Sequence, residues 1–267
     1  SQVQGKYAVV RIEDEKVLGV VGESYQIIQN RECFDFLDSI VGEGQALYHT
    51  AGSLFGGSRI FITLKLPEDS VIGDDKVERY VLLASSHDGS LALTARMTGV
   101  RVVCANTLAV ALGRGTQQSV TIYHTQNYKD KVAEARRVLG LADLYYKHME
   151  TEFNKMLDAA LRESDLSRFV NSLFPDTQKA EGGKLKASAS TLKKRDRIRE
   201  LARSGRGNKA VAGTRYAAFQ AVTEFVTHER NPNVSPGRDR EDVRVNSMLF
   251  GSGRELTQKA FDLLKVR

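Results

Sequence analysis

The stretch SRIFITLKL, residues 58–66, alternates polar and apolar side chains along its whole length. Successive side chains of a β-strand point to opposite faces of the sheet, so this alternation predicts a half-buried strand. Its apolar side carries Ile60, Ile62, Leu64 and Leu66, and its outer side carries Arg59, Phe61, Thr63 and Lys65. The strand therefore predicts a sheet with one face in the core and one face open to other contacts.

Similar patterns on both sides extend this strand into an antiparallel meander. A strand near 80–86 reaches Asp88-Gly89, a dipeptide typical of tight hairpin turns, and residues 91–98 then alternate again. Residues 6–12 and 16–21 predict an N-terminal hairpin, residues 25–27 a further extended piece, and residues 100–103 and 120–124 two more strands.

Helical spacing dominates the second half of the chain. Helices are predicted at 30–41, at 106–112, from about 130 to 161, from 164 to just before Pro175, at 191–204 and at 214–228, with a closing helical segment after them. Strands followed by helices indicate an α+β fold. The predicted organisation is a β-rich core (1–125), a long and a short helix packed on it (126–175), a polar linker (176–190) and a basic, helical C-terminal region (191–267).

Composition limits the compartment and the partners. Only Cys33 and Cys104 occur, too few for a disulfide framework, and no run of about 18 apolar residues could span a membrane. These observations predict a cytoplasmic protein without membrane contact. The net charge is +6. Residues 179–215 carry 12 Lys and Arg against 3 Asp and Glu, so this segment alone makes the chain basic.

The strongest functional feature lies inside that segment. Seven cations stand against Asp196 and Glu200 within residues 193–206, an imbalance that favours a nucleic-acid backbone over a merely solvated face. An anionic membrane surface is a weaker alternative, because the apolar side of this helix lacks Trp and Phe. The seven are Lys193, Lys194, Arg195, Arg197, Arg199, Arg203 and Arg206.

A second candidate surface is the outer face of the meander. Cations interleaved with an aromatic ring on a sheet suit single-stranded nucleic acid, because bases stack on the ring while phosphates meet the charges. The equally weighted alternative is a strand covered by a later helix, with Phe61 in the core. The residues of this surface are Arg59, Phe61, Lys65, Arg96 and Arg101.

Signatures of catalysis and of cofactor binding are missing from the sequence. It contains no GxxxxGK[ST], GxSxG, HExxH or CxxC motif, and no two His or Cys residues lie close enough to form a local metal cluster. We therefore assign no catalytic residue, metal or cofactor. One enzymatic alternative remains, a metal-dependent nuclease using Asp74, Asp75, His87 and Asp88 if the loop and the hairpin turn that carry them share one end of the sheet.

Six runs resemble the phage/plasmid-like family of unknown function: YQIIQNRECFDFLD (25–38), TAGSLFGGSRIFITLKLP (50–67), YVLLASSHDGSLAL (80–93), VRVVCANTLAVAL (100–112), GTRYAAFQAVTEFVTH (213–228) and LFGSGRELTQKAF (249–261). The resemblance implies a mobile element as the source. It also implies an additional aromatic-rich N-terminal segment, which we expect this Trp-free chain to lack. The order of elements from 32 to 112 is further similar to the single-strand annealing class of Red-beta, Erf and RecT.

The leading hypothesis from the sequence is a non-catalytic protein that binds DNA, most readily single-stranded DNA, and anneals strands as a homo-oligomer during recombination. The cations of 193–206 would neutralise phosphates, and the outer face of the sheet would hold bases and backbone. Besides the nuclease, the other alternative is an interaction protein whose basic segment contacts an acidic host factor.

Overall fold

A computed structural model describes residues 4–25, 27–42, 44–101, 103, 106–108, 110, 112, 118–121, 128–179 and 185–266 of the chain. Cys104, His124 and residues 180–184 of the predicted linker lie outside the described residues. Within the described residues, no helix has both the length and the apolar character needed to cross a membrane.

The central element is a six-stranded antiparallel sheet, which confirms the predicted meander. The strand order is β3-β4-β5-β6-β7, and β8 also pairs with β6. The N-terminal hairpin β1–β2 forms a separate two-stranded sheet, as does the short pair β9–β10. The strands are β1 (Lys6–Arg11), β2 (Lys16–Gly22), β3 (Leu47–Leu54), β4 (Arg59–Ile72), β5 (Asp75–Ser86), β6 (Thr94–Arg101), β7 (Asn106–Leu108), β8 (Ser119–Thr121), β9 (Gln178–Lys179) and β10 (Leu185–Lys186).

Seven helices are described, and six of them follow the sheet in the chain, which confirms the α+β class. The segment after α5 continues as a π-helical turn at Phe225–Glu229. The helices are α1 (Asn30–Val41), α2 (Tyr128–Asp158), α3 (Glu163–Leu173), α4 (Ala189–Ser204), α5 (Arg215–Glu224), α6 (Arg240–Leu249) and α7 (Ser252–Leu264).

Local capping explains where two of the C-terminal helices begin. The Ser188 side chain accepts a hydrogen bond from the backbone N–H of Thr191 at the start of α4, and the Thr214 side chain accepts one from Ala217 at the start of α5. Side-chain oxygens at these positions satisfy N–H groups that have no partner inside the helix. The predicted starts at 191 and 214 are therefore close to the observed ones.

The predicted helix at 106–112 is wrong for the residues that the structure describes. Residues 106–108 form β7, in which Asn106 pairs with Arg101 and Leu108 pairs with Gly99 of β6. The amide of buried Asn106 also donates to the backbone oxygen of Gln220 at 3.3 Å. Sheet pairing and this tertiary contact outweigh a short helical pattern, which has little intrinsic stability.

The long β4 extends beyond the predicted strand. It continues past Pro67, and the pairing with β5 is irregular between Lys65 and Asp69. Proline lacks the N–H that a regular ladder of hydrogen bonds needs, so the pairing is irregular around Pro67. On the other side of β5, residues 94–101 of the two predicted strands 91–98 and 100–103 form the single strand β6.

The N-terminal hairpin packs closely on the turn between β5 and β6. A Cβ placed on Gly19 would lie only 2.4 Å from the Cα of Asp88, so glycine allows this approach. Tyr25, in the predicted third extended piece, lies outside any strand and donates its hydroxyl to the backbone oxygen of Ser86 at 2.7 Å.

One hydrophobic core joins the inner face of the sheet to the helices. Phe153 of α2 contacts the rings of Tyr216, Phe219 and Phe261, with ring centres 5.1 to 6.0 Å apart. Aromatic pairs at such spacings add stability beyond their buried area. The C-terminal helices are thereby fixed to α2, which covers the inner face and leaves the outer face of the sheet for α6.

Candidate nucleic-acid interface and an aromatic groove on the sheet

Four of the seven cations of α4 and its C-terminal flank form ion pairs within the chain. Arg195 is buried, where its guanidinium donates to Asp176 at 2.7 Å and to the backbone oxygen of Phe174. Arg197 donates to Glu229 at 2.8 Å. The remaining pairs are Arg199–Asp196 and Arg203–Glu163. Arg195 is therefore not open to the phosphate contact that the sequence predicted for it, and four of the seven cations carry a local counter-charge.

Three of the seven cations are exposed and also lack an ion pair among the described residues. They are Lys193, Lys194 and Arg206. Three of the counter-charges, Asp176, Glu229 and Glu163, come from outside 193–206. A count of acids within that window alone could not have found them.

Lys194 contributes to a cleft of about 280 Å³ beside α4 and α7. Two further cations, Arg230 and Lys259, and one carboxylate, Glu255, line the same cleft. Its walls are completed by Leu173, Phe174, Phe225, Ser252 and Leu256. The cleft thus combines an apolar base with an excess of positive charge, and neither Arg230 nor Lys259 belongs to the segment that the sequence singled out.

Arg230 is held in the cleft by hydroxyl groups. Its two terminal nitrogens donate to Ser247 at 2.7 Å and to Ser252 at 2.9 Å. Burial lowers the pKa of Arg230, while Glu255 acts in the opposite direction. A partly desolvated cation with neutral partners attracts an incoming anion more strongly than a fully hydrated one.

The outer face of the sheet is partly covered by a later helix, α6, as one of the two interpretations of this surface predicted, and Arg59 and Arg96 are only half-exposed. Both guanidinium groups lie over the ring of Phe250, at 5.3 and 5.5 Å from its centre. Arg96 donates to the backbone oxygen of Leu249 at 2.7 Å, and Arg59 donates to the side chain of Asn246. Cations at the last carbonyl groups of a helix stabilise it, so these arginines fasten the end of α6 to the sheet.

Arg101 is fully buried, which corrects its assignment to the exposed face. Its Nε donates to Asp75 at 2.8 Å, and its terminal nitrogens donate to the side chain of Asn208 and the backbone oxygen of Gly207, each at 3.0 Å. The guanidinium therefore ties β6 to the turn between β4 and β5 and to the loop after α4.

Lys65 and Phe61 do lie together on the outer face, in the part that α6 leaves open. Lys65 forms an ion pair with Glu78, which also accepts a hydrogen bond from the hydroxyl of Tyr80 at 2.7 Å. Both hydrogen bonds lower the pKa of Glu78. Desolvation and the Glu78 carboxylate raise the pKa of Tyr80. The charges of Lys65 and Glu78 cancel each other at this place.

A groove of about 390 Å³ separates this open part of the sheet from α6. One wall is apolar and consists of Val245, Met248 and Leu249 of α6. The other lining residues come from the sheet, and they are His49, Thr50, Phe61, Thr63, Glu78, Tyr80, Thr98, Val100 and Thr107. Ligand sites are commonly concave, mostly apolar and of this size.

A β-bulge places His49 over the groove. Tyr48 pairs with Leu64 and Thr50 with Thr63, so His49 is the extra residue of β3. A bulge re-aims the side chain that it carries. The imidazole of His49 lies edge-on to the ring of Tyr80, with ring centres 4.9 Å apart. No local pattern pointed to this position, because the bulge interrupts the pairing of β3 with β4.

The four residues of the nuclease alternative do not form one site. Asp75 opens β5 and pairs with Arg101, whereas His87 and Asp88 follow the other end of the same strand. A strand of 12 residues spans roughly 37 Å at about 3.4 Å per residue. The His87 ring is hydrogen-bonded to Asn30 at 2.9 Å. Within the described part of the chain, no three metal-ligating side chains come together.

Comparison with protein families matches the chain to a model described as Domain of unknown function (DUF932), over residues 17–250. The match includes the six-stranded sheet, α6 and five of the nine residues that line the cleft, and it ends before the four that α7 contributes. Its description names no activity. Neither the curated proteins nor the solved structures include one that matches this chain.

Proposed function

We propose that this chain, which belongs to the DUF932 family, is a nucleic-acid-binding protein that grips the phosphate backbone at the cleft beside α4 and α7. The observation that carries the proposal is the charge of that cleft. Lys194, Arg230 and Lys259 line it together with the single carboxylate Glu255. A polyanion is the partner that such an excess of positive charge favours.

The surroundings of the cleft support a phosphate rather than a carboxylate-bearing small ligand. Lys193 lies exposed next to Lys194, so positive charge continues along the surface as a repeating anion requires. Ser252, which opens α7, also lines the cleft and has a backbone N–H group, and Gly251 before it provides no side-chain cap. The next N–H group, that of Gly253, is already donated to the hydroxyl group of Ser247 at 3.1 Å. Phosphate oxygens accept hydrogen bonds from such groups and from lysine and arginine side chains.

The proposal includes the more specific role that the sequence resemblance implies, which is strand annealing by a protein of a mobile element. In that role the protein belongs to a phage or another mobile element, acts in the cytoplasm as a homo-oligomer, and anneals single strands of DNA. The runs at 80–93 and 100–112 support the mobile-element origin. The similarity in element order to the annealing class is weakened, because β7 stands where a helix was expected.

Fluorescence anisotropy with a labelled single-stranded 30-mer tests the proposal at 50 mM salt. The double variant Lys194→Gln/Lys259→Gln should weaken binding at least fivefold. Arg203→Gln/Arg199→Gln is the matched control, because it removes the same amount of charge from two arginines that form ion pairs with Glu163 and Asp196. It should change the affinity by less than twofold.

Equal losses in the two double variants would overturn the assignment of the cleft. No binding by the unaltered protein at 50 mM salt would overturn the function itself. Parallel measurements with double-stranded DNA, with RNA and with complementary strands separate simple binding from annealing.

A further inference from the structure

We infer that the groove between the outer face of the sheet and α6 is a binding site for a nucleobase. The inference goes beyond phosphate binding, because it concerns a different surface and a ligand that needs no charge. It stands on three features of the groove: its aromatic rings, its cancelled charges and one buried hydroxyl group without a partner.

The rings give the groove flat apolar surfaces. Phe61 lies on β4 and Tyr80 on the neighbouring strand β5, and the imidazole of His49 stands edge-on to Tyr80. Met248 of α6 faces them from the other wall. Planar heterocycles stack on aromatic side chains, and each stacked base contributes about 1–3 kcal/mol to binding. A flat ligand is therefore favoured over a flexible aliphatic one.

The charges near the rings cancel each other. Lys65 and Glu78 form an ion pair, and the second carboxylate oxygen of Glu78 accepts the hydroxyl hydrogen of Tyr80. A charged ligand would have to compete with this pair. The groove is thus suited to a ring system that is uncharged at neutral pH, as the nucleobases are.

The buried hydroxyl group belongs to Thr98, which lines the groove and is 5% exposed. Its Oγ1 has no hydrogen-bond partner among the residues that the structure describes. An unmade hydrogen bond of a buried polar group costs about 1–3 kcal/mol, so such a group generally has a partner in the working state. A hydroxyl group can donate or accept, and the polar edge of a base offers both kinds of partner.

Two kinds of ligand present a nucleobase, namely a free nucleoside and a nucleic-acid strand. The chain provides a probe that distinguishes them, because it has four methionines and only Met248 lines the groove. The other three, Met97, Met149 and Met156, are fully buried elsewhere in the core. Methyl-13C methionine labelling therefore gives one signal at the site and three internal controls.

The experiment titrates the labelled full chain with adenosine, guanosine, cytidine and thymidine, with ribose as the control that lacks a base, and separately with an oligonucleotide. We expect the Met248 methyl signal to shift upfield through the ring current of the base, while the other three signals stay in place. Nucleosides carry no phosphate, so this shift should be insensitive to salt, unlike backbone binding at the cleft.

Thr98→Val keeps the shape of the side chain and removes the hydroxyl group. It should weaken nucleoside binding about fivefold, as expected for one net hydrogen bond. Thr121→Val, at an exposed threonine of β8 outside the groove, is the matched control and should leave the affinity unchanged. The three core methionine signals report whether either variant has lost its fold.

A Met248 shift with nucleosides supports a site for free nucleosides, and a shift with the oligonucleotide alone supports a base presented by a strand. The inference is overturned if neither ligand shifts Met248, if ribose shifts it equally, or if Thr98→Val and Thr121→Val behave alike. Salt-dependent DNA binding without any Met248 shift would support phosphate binding at the cleft and contradict base binding at the groove.

Discussion

Gly52 and Phe61 face each other across β3 and β4, and the Phe61 ring occupies the space where a side chain at position 52 would stand. A Cβ at Gly52 would lie 2.8 Å from two carbons of the ring, closer than such atoms approach. The ring is the far end of a flexible side chain, so we expect Gly52→Ala to turn it into the groove.

This substitution should lower nucleoside affinity severalfold in the Met248 titration. It should change the melting temperature by less than about 4 °C, because displacing a ring that can move costs little. Gly22→Ala is the control, since nothing lies within 4 Å of a Cβ added there. Unchanged affinity in the Gly52 variant would show that the ring position does not matter for the ligand.

Arg101 should be among the most important side chains for stability. Replacing it with Met leaves Asp75 without its cation and Asn208 without a donor in a buried setting. Breaking a buried ion pair in this way costs about 3–5 kcal/mol. Urea unfolding followed by circular dichroism measures the change. Arg203→Met, at an exposed pair, should cost less than about 1 kcal/mol.

The salt dependence of nucleic-acid binding reports how many cations meet phosphates. If Lys194, Arg230 and Lys259 each neutralise one phosphate of a single strand, log K should fall by about 2 for each tenfold rise in salt. Affinity should then drop roughly 20-fold between about 50 and 200 mM. Lys259→Gln should reduce the slope by about 0.7. A slope unaffected by this change would place the phosphates elsewhere.

Glu78 should make stability depend on pH in the acid range. Its pKa is lowered in the folded state by hydrogen bonds from Lys65 and Tyr80, so the unfolded chain takes up its proton first as the pH falls. The stabilisation is therefore complete above the unfolded pKa of Glu and is lost as the pH drops through the folded one. Glu78→Gln should flatten this part of the curve of unfolding free energy against pH. An unaltered curve in the variant would contradict the assignment.

The inner face of the sheet and the α+β order could be predicted, because the alternation in β4 and the helical stripe of α2 are local patterns. The prediction of a helix at 106–112 was wrong because the structure of these residues depends on long-range contacts. Asn106 and Leu108 join β7 through pairing with β6 and contact with α5, and neither partner is visible in the local spacing.

In the candidate site, too, features that follow from a local sequence pattern could be predicted, and features that depend on distant residues could not. Lopsided charge at 193–206 was visible, but the acids that neutralise Arg195, Arg197 and Arg203 lie 19 to 40 residues away in the sequence. Phe61 could be assigned to an outer face by alternation. The contribution of α6 to the groove depends on Arg59 and Arg96 meeting Phe250, a contact between segments more than 150 residues apart that no single-sequence pattern encodes.

One phenol links the two sides of the sheet. The hydroxyl group of Tyr146, on α2, accepts a hydrogen bond from the backbone nitrogen of Tyr80 at 2.9 Å and shares its proton between the backbone oxygens of Tyr80 and Thr98, at 2.6 and 2.9 Å. Tyr80 and Thr98 both line the groove on the opposite face. The hydroxyl group of Tyr146 therefore joins α2 on the inner face to the two strand segments that shape the groove, so the position of the core helix and the geometry of the outer surface are connected through the backbone of the sheet.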